Sequence, residues 1–458
     1  MRLSIVNFPF FGRTKELKLM HNLLHQVTEG GSRMLVVTGR RRVGKTALIS
    51  EAFAKQDQAL FLYFFVNSEL GEKRNIELFW ELNRGKMSSL AAFLPPPATF
   101  SELFRLLLEF SKTKPMVFVM DEFQNIDSIN ASFFGDIQRQ WDMSREQTKM
   151  LFVVSGSVAS AMRAIFQNGQ APLFARQDAL INLPAFPIRV LQDILSCYNE
   201  HYSAEDLLTL FAVTGGIAQY VKVLMQNQAV TKEDMIREAI SENLFLSDGQ
   251  LMLLSEFKNN YSINFEILER LANGATDRNE LVSAFPQTDI SAHLKRLEEH
   301  YRLIVRNEPI GMPAKYKKVR YKLNDPFLKF WFTFIFPYRF MIEAGYTDRI
   351  IERALQIFPD YSGRVLEELF IRKTMESGKY TAIGQWWDKK GNNEIDLIAI
   401  DDLEKSIVFA EIKRNPQKIN FVTLEEKKNV FLSQCRSQYR SYRPQLKGLS
   451  LENLLRDF

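Results

Sequence analysis

Nine consecutive residues, GRRRVGKTA at 39–47, have the types and spacing that hold a nucleoside triphosphate. They fit the phosphate-loop pattern, in which two glycines five positions apart precede a lysine and a hydroxyl residue. Backbone N–H groups of such a loop curl around a phosphate, and the helix that follows adds partial positive charge. Lys45 would bind the β- and γ-oxygens and act in catalysis, while Thr46 would ligate Mg²⁺. The predicted nucleotide contacts are Gly39, Arg40, Arg41, Arg42, Val43, Gly44, Lys45, Thr46 and Ala47.

Two carboxylates follow a later apolar run, PMVFVMDE at 115–122. The run predicts a buried strand that ends in Asp121 and Glu122. Asp121 is then placed to hold the Mg²⁺ shell, and Glu122 to polarise an attacking water. A strand end with a solvated acidic turn is the alternative interpretation. The phosphate loop upstream favours the first.

Three more side chains could complete this site. Ser155 and Ser157 follow a predicted strand at 150–154, and either could sense the γ-phosphate. The sequence does not choose between them, and a strand-to-helix cap would also explain them. Arg176 could reach the phosphates of a neighbouring subunit in a homo-oligomer as an arginine finger, or be a surface residue.

A second group of charged residues lies near the C-terminus. In the predicted strand 406–413, Glu411 and Lys413 are two apart and project from one face. Asp396 begins the preceding predicted strand, so a hairpin could place it beside Glu411. Paired carboxylates suit Mg²⁺, and a neighbouring lysine can position or deprotonate water. The sequence thus predicts Asp396 and Glu411 as metal ligands and Glu411 and Lys413 as catalytic, although strands also carry this spacing by chance.

Basic residues cluster between these two regions. Helices at 265–272, 277–285 and 288–299, followed by strands at 301–307 and 317–323, predict a winged helix-turn-helix. The local positive charge suits a DNA backbone. A lid or subunit-contact module is the alternative. The predicted nucleic-acid contacts are Lys295, Arg296, Lys317, Lys318 and Arg320.

Composition limits the class of protein. The chain has 458 residues, 46% of them hydrophobic, and a net charge of +5, which is too modest to indicate nucleic-acid binding without local patches. Two cysteines without metal-type spacing suit a reducing cytoplasm and exclude a disulfide framework. No signal peptide is predicted. The most apolar stretch, 327–335, is too short to span a membrane and is predicted as a core helix.

The patterns predict a multidomain α/β chain. The expected divisions are a P-loop nucleoside-triphosphate-binding core with a parallel sheet at 1–190 and a helical lid at 191–258. A winged helix-turn-helix at 259–325 and a helical connector at 326–360 follow. The last division, 361–458, is an α/β domain.

Nearly the whole chain resembles one family: archaeal and bacterial STAND-like ATPases of AAA+ type with a C-terminal domain related to PD-(D/E)xK nucleases. The resemblance implies ATP as the nucleotide, Gly12 and Arg13 beside the adenine, and Glu367 as an additional metal ligand in a restriction-endonuclease-like domain. A surface turn is the alternative for Gly12 and Arg13. Ala218 departs from the family by replacing the proline of the Gly215–Gly216 lid motif. The resemblance rests on residues 11–13, 39–46, 121–123, 155–157, 172–176, 215–216, 324–327, 384–387 and the C-terminal carboxylates.

Two functions are compatible with these patterns. In the first, ATP and Mg²⁺ drive DNA binding, and the C-terminal site possibly cleaves the DNA. In the second, ATP switches assembly or partner contact, and the C-terminal domain is a non-catalytic binding module. The full set of Glu367, Asp396, Glu411 and Lys413 favours the first.

Overall fold

The structure, a computed structural model, describes residues 8–87, 95–257, 261–312, 318–389 and 391–456. The chain forms two compact units, residues 10–184 and residues 185–458, the second also taking in the residues ahead of Phe10. We call these the N-terminal and C-terminal units. The five-part division expected from the sequence is finer than these two units and stays a prediction.

The N-terminal unit is built on a parallel sheet. Its strands are β1 (Arg33–Thr38), β2 (Leu60–Phe65), β3 (Met116–Asp121), β4 (Met150–Gly156) and β5 (Ala179–Asn182). In the part of the chain that is described, they lie in the order β2-β3-β4-β1-β5, and each neighbouring pair is parallel. The carboxyl ends of parallel strands share one edge, which is where ligands bind in such sheets.

Helices pack on both faces of this sheet. Val36 and Phe118 lie in the core on one face. Leu35 and Val119, their neighbours in the chain, lie in the core on the other, because successive strand residues alternate. Burial on both faces explains the continuous apolar runs, and the predicted parallel-sheet core is confirmed. The helices are Thr14–Glu29, Lys45–Phe53, Glu72–Asn83, Phe100–Ser111, Ile126–Asn130, Phe133–Ser144 and Ala159–Phe166.

The C-terminal unit begins with helices. They are Ile188–Tyr198, Ala204–Thr214, Ala218–Gln226, Lys232–Ser241 and Asn243–Phe257, and then Tyr261–Ala272, Arg278–Ser283 and Ser291–Lys295. The last continues as a π-helical turn, Arg296–His300. An antiparallel hairpin of β6 (Ile304–Asn307) and β7 (Arg320–Leu323) follows. Three helices and a hairpin were expected here, although both strands are shorter than predicted. The winged-helix assignment stays a prediction.

An aromatic segment follows the hairpin. Pro326–Phe330 is a helix that continues as the π-helical turn Trp331–Ile335 and the 3-10 turn Phe336–Tyr338, and Arg339–Glu343 is a short helix. Trp331 and Phe332 are fully buried, as a core helix requires. Among the described residues, no helix is both long and apolar enough to cross a membrane.

A mixed sheet ends the chain. The long helix Thr347–Glu376 leads into β8 (Ala382–Trp387), β9 (Glu394–Asp401) and β10 (Ser406–Lys413), and helices Phe421–Gln434 and Arg436–Tyr439 precede β11 (Arg443–Ser450). The order is β11-β10-β9-β8, with β10 and β11 parallel and the other pairs antiparallel. The long helix runs through Pro359, so the domain boundary predicted at 360/361 falls inside one helix.

Candidate functional site

The phosphate loop follows β1 and precedes helix Lys45–Phe53. Gly39 has a φ of 154°, and a Cβ there would lie 2.7 Å from the carbonyl oxygen of Leu183. A side chain would therefore collide with backbone, which is why this position needs glycine. Val43 is buried, and Arg41, Thr46 and Ala47 are exposed.

Lys45 lies inside the loop. Its side chain is buried, and Nζ donates to the carbonyl oxygens of Gly39 at 2.9 Å and Arg40 at 3.2 Å. Burial lowers the pKa of Lys45, while the nearby carboxylates of Glu122 and Asp121 oppose that shift. A buried ammonium beside the N-terminus of a helix makes this loop a cationic site suited to phosphate oxygens.

Asp121 meets Thr46 across the end of the sheet. Oδ2 of Asp121 accepts hydrogen bonds from the Thr46 hydroxyl at 3.0 Å and from the Tyr63 hydroxyl at 2.5 Å. Burial and the Asp121 charge raise the pKa of Tyr63 well above its usual value. Carboxylate and hydroxyl oxygens this close together suit Mg²⁺, so Thr46 and Asp121 fit the predicted cation. No sequence pattern indicated Tyr63 as part of this site.

Glu122 follows with a left-handed φ of 52°. Its Oε2 accepts hydrogen bonds from the Ser157 hydroxyl at 2.8 Å and from the Gln124 side-chain amide. The Ser155 hydroxyl is buried and has no hydrogen-bond partner in the described part of the chain. The structure thus distinguishes two serines that the sequence did not.

Arg13 is buried beside the phosphate loop. Its guanidinium donates to the carbonyl oxygens of Pro184 at 2.7 Å and Val43 at 3.4 Å, and burial lowers its pKa. Gly12 and Arg13 both have left-handed φ angles, 63° and 64°. The surface-turn alternative is wrong for Arg13, because its side chain is buried and connects Val43 of the phosphate loop to Pro184, the last residue of the N-terminal unit.

Arg176 forms an ion pair within its own unit. Its Nη2 lies 2.8 Å from Oδ2 of Asp142 and its Nε 3.0 Å from Oδ1, and Nη1 donates to the carbonyl of Pro172 at 2.8 Å. To act as an arginine finger, Arg176 would have to break this bidentate contact with Asp142.

The C-terminal carboxylates meet where β9 and β10 pair. Oδ2 of Asp396 accepts hydrogen bonds from the Ile412 N–H at 2.8 Å and from Lys413 Nζ at 3.0 Å. Lys413 Nζ also lies 3.9 Å from Oε1 of Glu411, whose Oε2 accepts from the Asn420 N–H at 2.7 Å. The structure therefore brings Asp396, Glu411 and Lys413 together.

Glu367 faces this cluster from the long helix. Burial, and next the Asp396 charge, raise the pKa of Glu367 to about 7, while Lys322 and Lys413 oppose the shift. Among the described residues, however, no group of three or more acidic, histidine or cysteine side chains is arranged to hold a metal ion. The expected metal ligands Glu367, Asp396 and Glu411 stay a prediction, and in this structure Lys413 pairs with Asp396 at 3.0 Å.

The basic residues of the hairpin bind other parts of the C-terminal unit. Arg320 pairs with Glu394 at 2.8 Å, and its guanidinium carbon lies 4.4 Å from the ring centre of Trp387. Lys318 pairs with Asp277 at 2.9 Å. Both charges have an acidic partner, although the Lys318 side chain stays 47% exposed. The expected DNA face stays a prediction, and Lys317 lies outside the described residues.

Lys295 and Arg296 are both exposed, like Lys318 and unlike the partly buried Arg320. Lys295 lies 3.9 Å from Glu299, one turn later, with both side chains well solvated. Such a pair contributes little, so the ammonium stays available to an anionic partner.

The Gly215–Gly216 turn is held by the long helix. Arg372 donates to the carbonyl oxygens of Phe186 at 3.1 Å and Gly215 at 3.5 Å. Glu376 accepts from the Ile188 N–H at 2.8 Å. The last turns of the long helix therefore fix both the turn and the start of helix Ile188–Tyr198.

Two protein families match the chain. Residues 10–224 match an ATPase domain predominantly from Archaea, and residues 331–430 match a family described as archaeal and bacterial proteins of unknown function. The first match contains the phosphate loop, and the second contains the C-terminal carboxylates. The chain is thus similar to an archaeal ATPase domain over residues 10–224 and to the second family over residues 331–430.

A relative and two solved structures are also similar to the chain. An uncharacterized protein of Methanocaldococcus jannaschii is 26% identical over 415 residues, 88% of this chain and 87% of the relative. The Walker-type ATPase of Pyrococcus abyssi has a TM-score of 0.53 and 14% identity, covering 73% of this chain and 99% of its own. The ORC2 protein of Aeropyrum pernix, in ADPNP–ADP complexes, has a TM-score of 0.50 and 19% identity, covering 77% and 98%. At these identities the likeness to the solved structures is one of fold.

Proposed function

We propose that the N-terminal unit binds ATP with Mg²⁺ and hydrolyses it. The observation that carries this proposal is the 3.0 Å contact between Thr46 and Asp121, with buried Lys45 in the loop beside them. Lys45 would exchange the Gly39 and Arg40 carbonyls for phosphate oxygens. Thr46 and Asp121 would hold Mg²⁺, which neutralises phosphate charge when bound.

Glu122 is the candidate base in this site. Its carboxylate would orient a water and accept its proton, and Ser157 and Gln124 fix one of its oxygens beforehand. A base held in place by donors loses little orientation freedom on reaching the reactive geometry.

Nucleotide binding and turnover of two variants test this function. Lys45→Ala should weaken nucleotide binding by about 10- to 100-fold, since a charged hydrogen-bond partner is lost. Glu122→Gln should bind nucleotide but turn over on the order of 100-fold more slowly. Lys55→Ala, an exposed lysine paired with Glu51 after the same helix, is the control. Hydrolysis at the wild-type rate by Lys45→Ala would contradict the proposal.

We propose that nucleotide state controls binding of DNA by the C-terminal unit. The supporting observation is the exposure of Lys295 and Arg296 at the end of the third helix before the hairpin. Fluorescence anisotropy of a labelled duplex, with ATP, ADP or no nucleotide, tests the coupling. Equal affinity in all three states would contradict it.

Metal-dependent DNA cleavage is a second candidate function of this unit. The observation that favours it is the cluster of Asp396, Glu411 and Lys413, in which Lys413 Nζ lies 3.0 Å from one carboxylate and 3.9 Å from the other. Asp396 and Glu411 would hold the cation, once Lys413 gives up its ion pair, and Lys413 would orient the water.

The absence of a three-ligand metal group in the described residues favours the alternative, a switch whose C-terminal unit only binds a partner. Calorimetry with Mn²⁺ and plasmid digestion separate the two. If the unit is a nuclease, Asp396→Ala should lose both metal binding and cleavage, and Lys413→Ala cleavage alone. Lys418→Ala, an exposed lysine nearby, is the control. If the wild type leaves the plasmid intact and calorimetry shows no binding of Mn²⁺, the result would favour the switch over the nuclease.

A further inference from the structure

Tyr63 is a half-buried residue whose hydroxyl the proposed hydrolysis does not use. It lies on β2, opposite Val119 of β3, and its hydroxyl reaches the carboxylate two residues further along that strand. The distance from the hydroxyl to Oδ2 of Asp121 is 2.5 Å. This oxygen is also the one that accepts the Thr46 hydroxyl.

Three hydrogen bonds to the Asp121 carboxylate hold its orientation. Oδ1 accepts from the N–H of Glu122 at 3.0 Å, while Oδ2 accepts from Tyr63 and Thr46. When Thr46 turns to a cation, Tyr63 is the side-chain donor that still holds Oδ2. A phenol is protonated at neutral pH, so it can only donate to this carboxylate.

The strand does not need a hydroxyl to fill space. Phe61, two residues earlier on the same face, packs against one core of the unit, and Phe64, on the opposite face, lies in the other core. The polar atom at position 63 therefore serves Asp121 rather than the packing.

We infer that Tyr63 is a positioning residue for the Mg²⁺ site, and that it acts by fixing the Asp121 carboxylate. The inference rests on the proposed ATP site. It predicts that Tyr63 contributes to nucleotide binding only when Mg²⁺ is present. A hydrogen bond to a charged group is worth about tenfold in an equilibrium constant, so the loss should be of that size.

The test measures binding of a fluorescent, non-hydrolysable ATP analogue in EDTA and in Mg²⁺. With the wild type, Mg²⁺ should tighten binding. With Tyr63→Phe, the affinity in EDTA should equal that of the wild type, and the gain from Mg²⁺ should fall about tenfold. Phe61→Leu, on the same strand face, is the matched control and should keep the full gain. Thermal unfolding checks that each variant is folded.

A double variant tests the route through Asp121. Tyr63→Phe combined with Asp121→Asn should lose no more Mg²⁺ gain than Asp121→Asn alone, because residues acting as a unit are not additive. The inference would be overturned if the losses of the two single variants multiply in the double variant, or if Tyr63→Phe keeps the full gain from Mg²⁺. Neither result would contradict the proposed ATP site. Failure of the wild type to bind nucleotide would instead overturn the proposed function, and the inference with it.

Discussion

The hydroxyl of Ser157 lies 2.8 Å from Oε2 of Glu122 and donates a hydrogen bond to it. Ser155, two residues earlier, has a buried hydroxyl without a hydrogen-bond partner in the described residues. Ser157 contacts the proposed base, Glu122, and Ser155 does not. We therefore expect their replacement by alanine to have different effects on ATP hydrolysis.

Ser157→Ala should lower kcat for ATP about tenfold with KM little changed, since one hydrogen bond to a charged group is lost. Ser155→Ala should leave kcat near the wild-type value. Steady-state hydrolysis of both variants checks this. Equal losses of kcat in the two variants would contradict the role of Ser157 in holding Glu122.

Arg320 should matter for stability rather than for DNA. Arg320→Ala removes the ion pair with Glu394 and the contact with the Trp387 ring, which together are worth about 1–2 kcal/mol at a partly exposed site. Urea unfolding measures the loss. DNA affinity of the folded variant should equal that of the wild type, and a large drop would restore the hairpin as a DNA face.

Lys295 and Arg296 should behave in the opposite way. Replacing both with alanine should weaken duplex binding and reduce the slope of log K against log salt by about 1–2, because fewer counterions are released. Stability should change little at these exposed positions. Anisotropy titrations between low and moderate salt test the slope, and an unchanged slope would contradict DNA contact there.

Glu367 should make stability depend on pH. The folded protein raises its pKa from 4.5 to about 7, so the folded state binds this proton more tightly than the unfolded chain. Its stabilising contribution is fully present below pH 4.5 and is lost as pH rises through 7. Glu367→Gln should therefore gain stability relative to the wild type by about 1–3 kcal/mol between pH 5 and pH 8.

Urea unfolding in EDTA at several pH values measures this gain. Glu352→Gln, exposed on the same helix, controls for the removal of one charge. Parallel pH curves for the wild type and Glu367→Gln would show that burial does not hold the proton.

The Gly215–Gly216 turn allows a comparison of neighbours. Both glycines have left-handed φ angles, so alanine strains either. A Cβ at Gly216 would lie 2.7 Å from the Phe186 carbonyl oxygen, whereas one at Gly215 would meet the Pro326 ring at 3.3 Å. Gly216→Ala should cost about 1–3 kcal/mol more than Gly215→Ala in chemical unfolding. Equal costs would mean that the backbone gives way at Phe186.

The sequence predicts local chemistry better than distant partners. The phosphate loop is a continuous pattern of eight residues, so a phosphate-binding turn could be predicted there without knowledge of any distant contact. Glu411 and Lys413 share a face because strand residues alternate, and that too is local. The predicted hairpin then places Asp396 beside them.

Long-range pairing explains what the sequence did not reveal. Tyr63 contacts Asp121 only because β2 lies next to β3, and the spacing of 58 positions carries no signal. Arg320 appeared free for DNA because Glu394, 74 positions later, could not be recognised as its partner. Lys413 looked like a catalytic neighbour of a metal, but its charge neutralises Asp396 in this structure.

The contacts of Arg372 and Glu376 also set an order of events during synthesis. The carbonyl of Phe186 and the N–H of Ile188 are 186 and 188 positions from their side-chain partners. Translation proceeds at about 5–20 residues per second, so helix Ile188–Tyr198 waits on the order of ten seconds or more before residue 376 is made. Until then its first turn depends on water for the hydrogen bond that Glu376 later supplies. In a chain that ends before residue 372, the Phe186 carbonyl and the Ile188 N–H would keep water as their hydrogen-bond partner.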